Sequence, residues 1–224
     1  DNMKIEKTRK RQFAVLGLGR FGYSVAKTLF EKGVEILAVD EKEDAVLRVR
    51  DFVTYSAVAD VSDERTLSAL GIENFDVVII AIGNDLEASV LATLACKELG
   101  VKKVIAKAQS LKHKSVLERV GADEVLIPEM EMGEKLATRL ANPLLHDIMF
   151  VSHEYSIIET RLPEAWKGKS LAELELRKKY ELNVIGIERG GNVIVNLAAE
   201  APFEDGDTLI IGGNRENLEI LQKQ

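Results

Sequence analysis

A glycine-rich segment directly after an apolar run restricts the folds open to this chain more than any other feature. Gly17, Gly19 and Gly22 belong to the hexapeptide GLGRFG, which follows the apolar residues 13–16 and opens an amphipathic stretch. In a dinucleotide-binding βαβ unit, the first glycine makes a tight turn, the second lets the backbone approach a pyrophosphate, and the third lets helix and strand pack closely. Free amide groups at the helix N-terminus then favour an anion. The segment predicts a nucleotide-binding site at the start of the first helix.

Short apolar runs alternate with amphipathic stretches through the first half of the chain, which is typical of βαβ units around a parallel sheet. The runs lack polar alternation, as expected of strands that helices cover on both faces. Six such runs occur, at residues 13–16, 35–39, 54–59, 77–82, 103–106 and 124–127. The pattern predicts an α/β fold, a doubly wound, Rossmann-like parallel sheet with five intervening helices.

The pattern changes after the sixth run. A further helix is expected at residues 131–140, after which Asn142-Pro143 interrupts the periodicity and an apolar stretch follows at 144–151. Beyond it, short strand-like runs and a helix at 171–179 predict a second, smaller α+β lobe. We therefore expect a nucleotide-binding domain at residues 1–142, an apolar connector at 143–154 and a C-terminal lobe at 155–224.

Composition excludes several classes of protein. The chain has 224 residues, of which 46% are hydrophobic and 30% charged, and no long uninterrupted apolar run, so we expect a soluble globular protein rather than a membrane span. The net charge of −7 disfavours nucleic acid as a partner, because binding to phosphate backbones needs a clustered positive surface. The single cysteine, Cys96, cannot form an internal disulfide, and no secretory signal is recognisable. A cytoplasmic location is expected.

Charged residues at the ends of the apolar runs indicate how a nucleotide would be held. Asp40 directly follows the second run, where an acidic side chain accepts hydrogen bonds from ribose hydroxyls and repels a 2′-phosphate. Arg20 lies inside the glycine turn, residues 17–22, where a guanidinium can bind a terminal phosphate in bidentate fashion. Asp60 directly follows the third run and is placed either to meet an adenine edge or to cap the helix begun by Ser62 and Asp63.

Two further charges follow later strands. Lys107 directly follows the fifth run and could supply a second cation, and Glu129 follows the sixth run on the same carboxyl edge of the sheet. A carboxylate facing a polyphosphate repels it unless a hard cation such as Mg²⁺ bridges the two. Glu129 is therefore either a ligand of a phosphate-bound cation or a solvated residue at a helix start.

Catalytic machinery is not recognisable in the sequence. Tyr23 and Lys27 share the spacing of the short-chain dehydrogenase pair, but they fall on the first helix, beneath the phosphates rather than at a reacting carbon. Cys96 has no activating base nearby in sequence, and no two histidines have metal-ligand spacing with an acid. We expect a nucleotide sensor and not an enzyme.

One helix, predicted at residues 86–99, carries a face of small residues. This face would let another helix approach closely, or would pack on the chain's own sheet, and both interpretations are open. Its members are Ala88, Ser89, Ala92, Ala95 and Cys96. Together with the apolar stretch at 144–151, the face favours a homo-oligomer.

A combination of short motifs links the chain to a known family. They are QFAVLGLGRFG at residues 12–22, Val39-Asp40, Ala81-Ile82-Gly83, Lys107-Ala108-Gln109, Gly121-Ala122-Asp123 and Pro128-Glu129. In this combination the chain resembles the cytosolic regulatory subunits of bacterial Ktr-type potassium uptake systems, which are built from the RCK or KTN domain. The resemblance extends over nearly all of residues 12–220.

That resemblance implies an octameric ring beneath a membrane-embedded potassium transporter, at the inner face of the cell membrane, with ATP and ADP favouring different ring shapes. It implies contacts of Arg20 with the γ-phosphate, of Asp40 with the ribose, and of Glu129 with phosphate-associated Mg²⁺ or Na⁺. The predicted nucleotide site comprises Gly17, Gly19, Arg20, Phe21, Gly22, Asp40, Asp60, Ile82, Gly83, Lys107 and Glu129.

The resemblance also implies that the second lobe binds cyclic di-AMP between two subunits, near Arg177, Asn183, Ile185 and Pro202. Two alternatives to the ATP/ADP-responsive subunit stay open. One is an NAD(H)-responsive regulator of Trk-type transporters, which often carries two copies of the module where this chain has one. The other, from a different class, is an NAD-dependent oxidoreductase.

Overall fold

The computed structural model describes residues 11–152 and 154–222. The chain divides into two compact units, Asp1–Glu129 and Met130–Gln224. In the described residues, no helix is both long enough and apolar enough to cross a membrane.

The first unit is built on a six-stranded sheet in the order β3-β2-β1-β4-β5-β6, and all of its strand pairs are parallel. Its strands are β1 (Gln12–Leu16), β2 (Glu35–Asp40), β3 (Tyr55–Val58), β4 (Val77–Ile80), β5 (Val104–Lys107) and β6 (Glu124–Leu126). Chain order and spatial order reverse between β1 and β4, which are neighbours in the sheet. The predicted doubly wound fold is confirmed.

Helices alternate with these strands, as the sequence pattern predicts. They are α1 (Arg20–Glu31), α2 (Glu43–Leu47), α3 (Glu64–Ala69), α4 (Leu86–Glu98) and α5 (Leu111–Arg119), and α6 (Pro128–Ala141) follows β6. A 3₁₀ turn at Ile72–Asn74 precedes β4. The helices cover both faces of the sheet. Ala14 packs in a hydrophobic cluster on one face, and its chain neighbour Val15 packs in a second cluster on the other. Both residues are fully buried, which explains the absence of polar alternation in the apolar runs.

The small-residue face of α4 packs within its own unit. Ser89, Ala92 and Cys96 are fully buried, and the last two belong to the hydrophobic cluster on that side of the sheet. The outer side of α4 instead exposes Leu86 and Leu91. Of the two interpretations of this face, packing against the chain's own sheet is the one that the structure shows.

The second unit holds a five-stranded antiparallel sheet in the order β10-β9-β11-β8-β7. Its strands are β7 (Leu145–Phe150), β8 (Tyr155–Arg161), β9 (Asn183–Arg189), β10 (Asn192–Val195) and β11 (Thr208–Asn214). The segment expected to be an apolar connector therefore contributes a strand. Leu145 and Ile148 are buried in the core of this unit, and pairing of β7 with β8 satisfies the backbone.

Helices in the second unit are short: α7 (Leu171–Leu174), α8 (Leu176–Tyr180) and α9 (Arg215–Leu218), with 3₁₀ turns at Glu164–Trp166 and Glu219–Gln222. The single helix predicted at 171–179 is divided at Glu175, whose φ of 47° lies in the left-handed region. Ser170 and Glu173 form a capping box at the start of α7. The side chains of Leu174 and Leu176, on either side of the break, both enter the core, which a continuous helix would place on different faces.

Candidate functional site

A cleft of about 520 Å³ opens at the carboxyl edge of the parallel sheet, across the ends of all six strands. This is the crevice in which doubly wound folds bind ligands, since neighbouring loops diverge where the strand order reverses. The predicted residues that line it are Gly17, Gly19, Arg20, Phe21, Asp40, Asp60, Ile82, Gly83, Lys107 and Glu129. Gly22 is the one predicted member that does not line it.

The glycine turn brings α1 against the end of β4. Gly17 has a φ of 94°, and a side chain there would meet the backbone of Ala81 at 3.0 Å. Its N–H donates to the carbonyl of Val39 at 2.8 Å. At Gly22, an added Cβ atom would collide with the carbonyl oxygen of Gly17. Gly17 and Gly22 are thus required for packing, whereas Gly19 has open space around it.

Asp40 fixes the backbone of the glycine turn through both of its carboxylate oxygens. Oδ2 accepts a hydrogen bond from the N–H of Leu18 at 2.6 Å, and Oδ1 accepts one from the N–H of Lys42 at 2.9 Å. Since each carboxylate oxygen has two lone pairs, both oxygens keep an acceptor site for a ribose hydroxyl.

The N-terminus of α1 faces this cleft without a cap of its own. Gly19 occupies the N-cap position and supplies no side-chain hydrogen bond, and the first turn contains no acidic residue. The helix therefore presents unsatisfied N–H groups and the positive end of its dipole. Arg20, the first residue of α1, adds a full positive charge beside them.

Lys107 and Glu129 form an ion pair at the far side of the cleft. Nζ of Lys107 lies 2.6 Å from Oε1 of Glu129 and 5.9 Å from the centre of the Phe21 ring. The hydrogen bond from Lys107 holds the pKa of Glu129 below its ordinary value, and the charge of Arg20 lowers it further. The side chain of Lys107 is 12% exposed and that of Glu129 is 63% exposed. The two charges predicted separately therefore neutralise each other in this structure.

This pairing limits how a metal could be held. In the described part of the chain, no three His, Cys, Asp or Glu side chains converge into a metal-binding group. Mg²⁺ is commonly bound by one or two carboxylates together with substrate phosphates rather than by an all-protein cage. Glu129 fits that arrangement only as a single ligand, with a polyphosphate supplying the others.

Asp60 lies in the cleft but is engaged locally. Its Oδ1 accepts hydrogen bonds from the N–H of Ser62 at 2.9 Å and from the Ser62 hydroxyl at 2.7 Å. The Ser62 hydroxyl and N–H both lower the pKa of Asp60. The cap of α3 is Asp63, whose side chain accepts from the N–H of Arg65. Of the two interpretations for Asp60, capping of α3 is not what the structure shows.

A residue that sequence reasoning missed also lines the cleft. Arg48 follows α2, and its Nη2 donates to the carbonyl oxygen of Leu18 at 3.2 Å. The two residues are separated by 30 positions, and no local motif marks an arginine at the end of a five-residue helix as a partner of a distant turn.

In the second unit, the structure brings together part of the predicted ligand set. Nη2 of Arg177 donates to Oδ1 of Asn183 at 2.7 Å, and both residues line a shallow depression of about 370 Å³. Ile185 is 40% exposed on the same strand as Asn183. Pro202 forms an isolated bridge with Ser170. Ile185 and Pro202 are not among the residues that line the depression.

Candidate nucleophiles and bases lie away from the cleft. Cys96 is fully buried, and burial raises the pKa of its thiol to about 12. His113 is also buried, and burial lowers its pKa. Neither residue lines the cleft.

Two domain families match this sequence and define the class of protein. The TrkA-N domain family matches residues 13–128, and the TrkA-C domain family matches residues 157–224. Among solved structures, the RCK domain of GsuK superposes with a TM-score of 0.68 at 16% identity, covering 97% of this chain and 48% of that chain. The fold is that of an RCK domain: a Rossmann-like domain with a parallel sheet, followed by a smaller lobe with an antiparallel sheet.

The curated relatives then give the family. The chain is 39% identical over 215 residues to the Ktr system potassium uptake protein C of Bacillus subtilis (strain 168), covering 96% of this chain and 97% of that protein. It is 37% identical over 212 residues to the Ktr system potassium uptake protein A of Vibrio alginolyticus, covering 95% and 96%. The chain belongs to the family of these Ktr potassium uptake proteins, which confirms the resemblance seen in the motifs. These relatives are named for potassium uptake, in line with the expectation that the chain is not an enzyme.

Proposed function

We propose that this protein is a nucleotide-responsive regulatory subunit that gates a membrane-embedded potassium transporter, with ATP and ADP as its ligands. The single observation that carries the proposal is the composition of the cleft. The uncapped N-terminus of α1, the guanidinium of Arg20 and the carboxylate of Asp40 line one cavity. These are the groups that a nucleoside polyphosphate needs: amide donors and a cation for phosphates, and an acceptor for ribose hydroxyls.

In this proposal the phosphate chain runs from the glycine turn towards Lys107. Glycine-turn amides bind the inner phosphates, and Arg20 contacts the terminal one. A third phosphate would compete with Glu129 for Lys107, since the ion pair of the two residues borders the same cavity. Mg²⁺ or Na⁺ at the terminal phosphate would relieve the repulsion from Glu129. A triphosphate and a diphosphate would therefore leave Lys107 and Glu129 in different arrangements.

Such a difference is sufficient for regulation without chemistry. A ligand shifts an equilibrium between two conformations only by as much as its affinity for them differs. We infer that ATP and ADP stabilise different shapes of an assembly of these subunits, and that the assembly transmits the difference to the transporter.

We further propose that the assembly is a homo-oligomeric ring, with eight subunits expected from the family resemblance, at the cytoplasmic face of the membrane. Support comes from exposed apolar side chains on long helices, which normally mark partner surfaces. On α4 they are Leu86, Leu91 and Leu94, and on α6 they include Met132 and Leu140, which is 72% exposed.

For the second unit we propose cyclic di-AMP as an inhibitory ligand shared between two subunits. The exposed pair of Arg177 and Asn183 offers a guanidinium for a phosphate and an amide for a base edge. Replacement of Arg177 by alanine should then weaken binding of cyclic di-AMP in calorimetry, while ATP binding in the first unit is unchanged. Equal binding of cyclic di-AMP to both proteins would refute the assignment.

The decisive test is calorimetry on the full chain with ATP, ADP and NADH, each followed by mass measurement in solution. We expect binding of ATP and ADP and a complex of several subunits. Tight binding of NADH with no binding of ATP would replace the proposal by the NAD(H)-responsive Trk-type regulator. A substrate-dependent change in absorbance at 340 nm across a panel of substrates would instead favour the oxidoreductase.

A further inference from the structure

Arg48 and Asp40 hold the same residue of the glycine turn from its two sides. The N–H of Leu18 donates to Oδ2 of Asp40 at 2.6 Å, and the carbonyl of Leu18 accepts from Nη2 of Arg48 at 3.2 Å. Both partners come from the second βα unit, which is remote in sequence from the turn. The backbone polar groups of Leu18 are thus both bound by side chains that line the cleft.

The hydrogen bond from Arg48 has a consequence for the neighbouring residue. In a planar trans peptide, the carbonyl and the following N–H point in opposite directions. Arg48 holds the carbonyl of Leu18 and therefore also fixes the direction of the N–H of Gly19. Gly19 is the N-cap of α1 and has open space around it, so no side-chain contact of its own fixes this peptide.

Arg48 is an exposed residue whose backbone is anchored by buried neighbours. It stands between Val46 and Val49, which are buried in the same hydrophobic cluster as Leu18. Among the described residues, no carboxylate lies close enough to form an ion pair with its guanidinium, in contrast to the pair of Lys107 and Glu129. A guanidinium carries five N–H donors, and the bond to Leu18 uses one of them.

We propose that Arg48 is the positioning residue of the glycine turn, and that it holds the Leu18–Gly19 peptide in the orientation that presents amide donors to a pyrophosphate. This role rests on the proposed function for its ligand, but the coupling of Arg48 to the turn is a property of the ligand-free protein. Arg48 acts on the phosphates through the turn, so its removal affects ligands according to the phosphates they carry.

The test compares Arg48→Gln with a matched control, Arg50→Gln, in the full chain. Arg50 is exposed, lies two positions away and is outside the cleft lining. Hydrogen exchange of the ligand-free proteins, followed by mass spectrometry, should show faster exchange in the peptide that spans residues 14–24 of the Arg48 variant. Exchange in α4 should match the parent, which separates a local effect from general destabilisation.

Binding supplies the second readout. We expect Arg48→Gln to weaken the binding of ADP by about tenfold, as for loss of a hydrogen bond from a charged group. The affinity for adenosine should change by less than about twofold. Unchanged exchange around the turn overturns the proposal. Equal weakening of ADP and adenosine also overturns it, because Arg48 would then contact the nucleoside directly. If the parent protein binds no ADP, the proposed function fails, and the exchange result alone decides the role of Arg48.

Discussion

The two units use ion pairs in opposite ways. In the second unit, Nε and Nη2 of Arg189 each lie 2.7 Å from an oxygen of Asp207, whose side chain is completely buried. In the first unit, the partner of Lys107 is Glu129, which is 63% exposed at the border of a cleft. The chemistry of the two pairs is similar, but their surroundings differ.

Burial decides what each pair can do. A buried carboxylate that loses its partner is left uncompensated, so the Arg189–Asp207 pair is permanent in the folded protein. It also holds the turn before β11, because the N–H of Glu204 donates to Asp207 at 2.8 Å. An exposed pair is worth about 0–1 kcal/mol, and the exposed Glu129 can leave Lys107 at less cost than the buried Asp207 can leave Arg189. The Lys107–Glu129 pair therefore keeps charges that a ligand could reach, whereas the Arg189–Asp207 pair stabilises its own unit.

The largest effect is expected when the buried pair is broken. Asp207→Asn should lower the free energy of unfolding of the second unit by about 3 kcal/mol, at the lower end for buried pairs because Arg189 is 31% exposed. The single tryptophan, Trp166, is buried in this unit, so its fluorescence during urea unfolding reports on it. Asp205→Asn, at a carboxylate that is 81% exposed, is the control and should change stability far less. Equal stability of Asp207→Asn and the parent would remove the contrast between the units.

The same pair should make the stability of the second unit depend on pH. Hydrogen bonds from Arg189 hold the pKa of Asp207 below its ordinary value. A lowered folded-state pKa gives stability that is complete above the unfolded-state pKa of about 4, and is lost as the pH falls through the folded-state value. Unfolding midpoints measured between neutral and acid pH should fall more steeply for the parent than for Asp207→Asn. Parallel curves for the two proteins would contradict this assignment.

A smaller loss is expected from the glycine turn of the first unit, where packing and binding can be separated. Gly22→Ala places a Cβ atom against the carbonyl of Gly17 and should destabilise the first unit by about 1–3 kcal/mol, measured by hydrogen exchange. Gly19→Ala meets nothing within 4 Å and has a backbone φ of −64°, so stability should be unchanged. ADP affinity should still fall, because the backbone could no longer approach the phosphates closely. Unchanged affinity in Gly19→Ala would place the phosphates elsewhere.

The Lys107–Glu129 pair should give a modest effect on binding and a small one on stability, because only Glu129 is exposed. Glu129→Gln removes the competitor for Lys107, so ATP affinity without divalent cations should rise about threefold, within the range for exposed ion pairs. The dependence of ATP binding on Mg²⁺ should weaken as well. Calorimetry with and without Mg²⁺ measures both, and Glu98→Gln, outside the cleft lining, serves as the control. Full retention of the Mg²⁺ dependence would show that Glu129 does not act on the phosphate-bound cation.

The smallest effect concerns Cys96, in the interior of the first unit. Burial raises the pKa of its thiol to about 12, and the side chain is inaccessible. We expect no reaction with a thiol reagent at neutral pH until the protein is unfolded. Rapid labelling of the native protein would show that the core of this unit opens more readily than its packing implies.

Local patterns predicted the first unit well. The steric demands of Gly17 and Gly22 act within a few residues of chain, so the hexapeptide predicts the turn between β1 and α1. Apolar runs that alternate with amphipathic stretches predict the parallel sheet. The apolar segment at 144–151, expected to be a connector, instead contains a strand. Residues 145–150 form strand β7 because β8 pairs with them in antiparallel register and because Ile148 packs in the core of the second unit.

By itself, the sequence determined the strand–turn–helix at the cleft and the acidic end of β2 at Asp40, since each depends on neighbouring residues. Tertiary structure alone decided which charges meet. Lys107 pairs with Glu129 across 22 positions, and Arg48 reaches Leu18 across 30. Whether a charge at the end of a strand is neutralised or left for a ligand depends on distances between separate loops, and those distances are fixed only when the sheet is assembled.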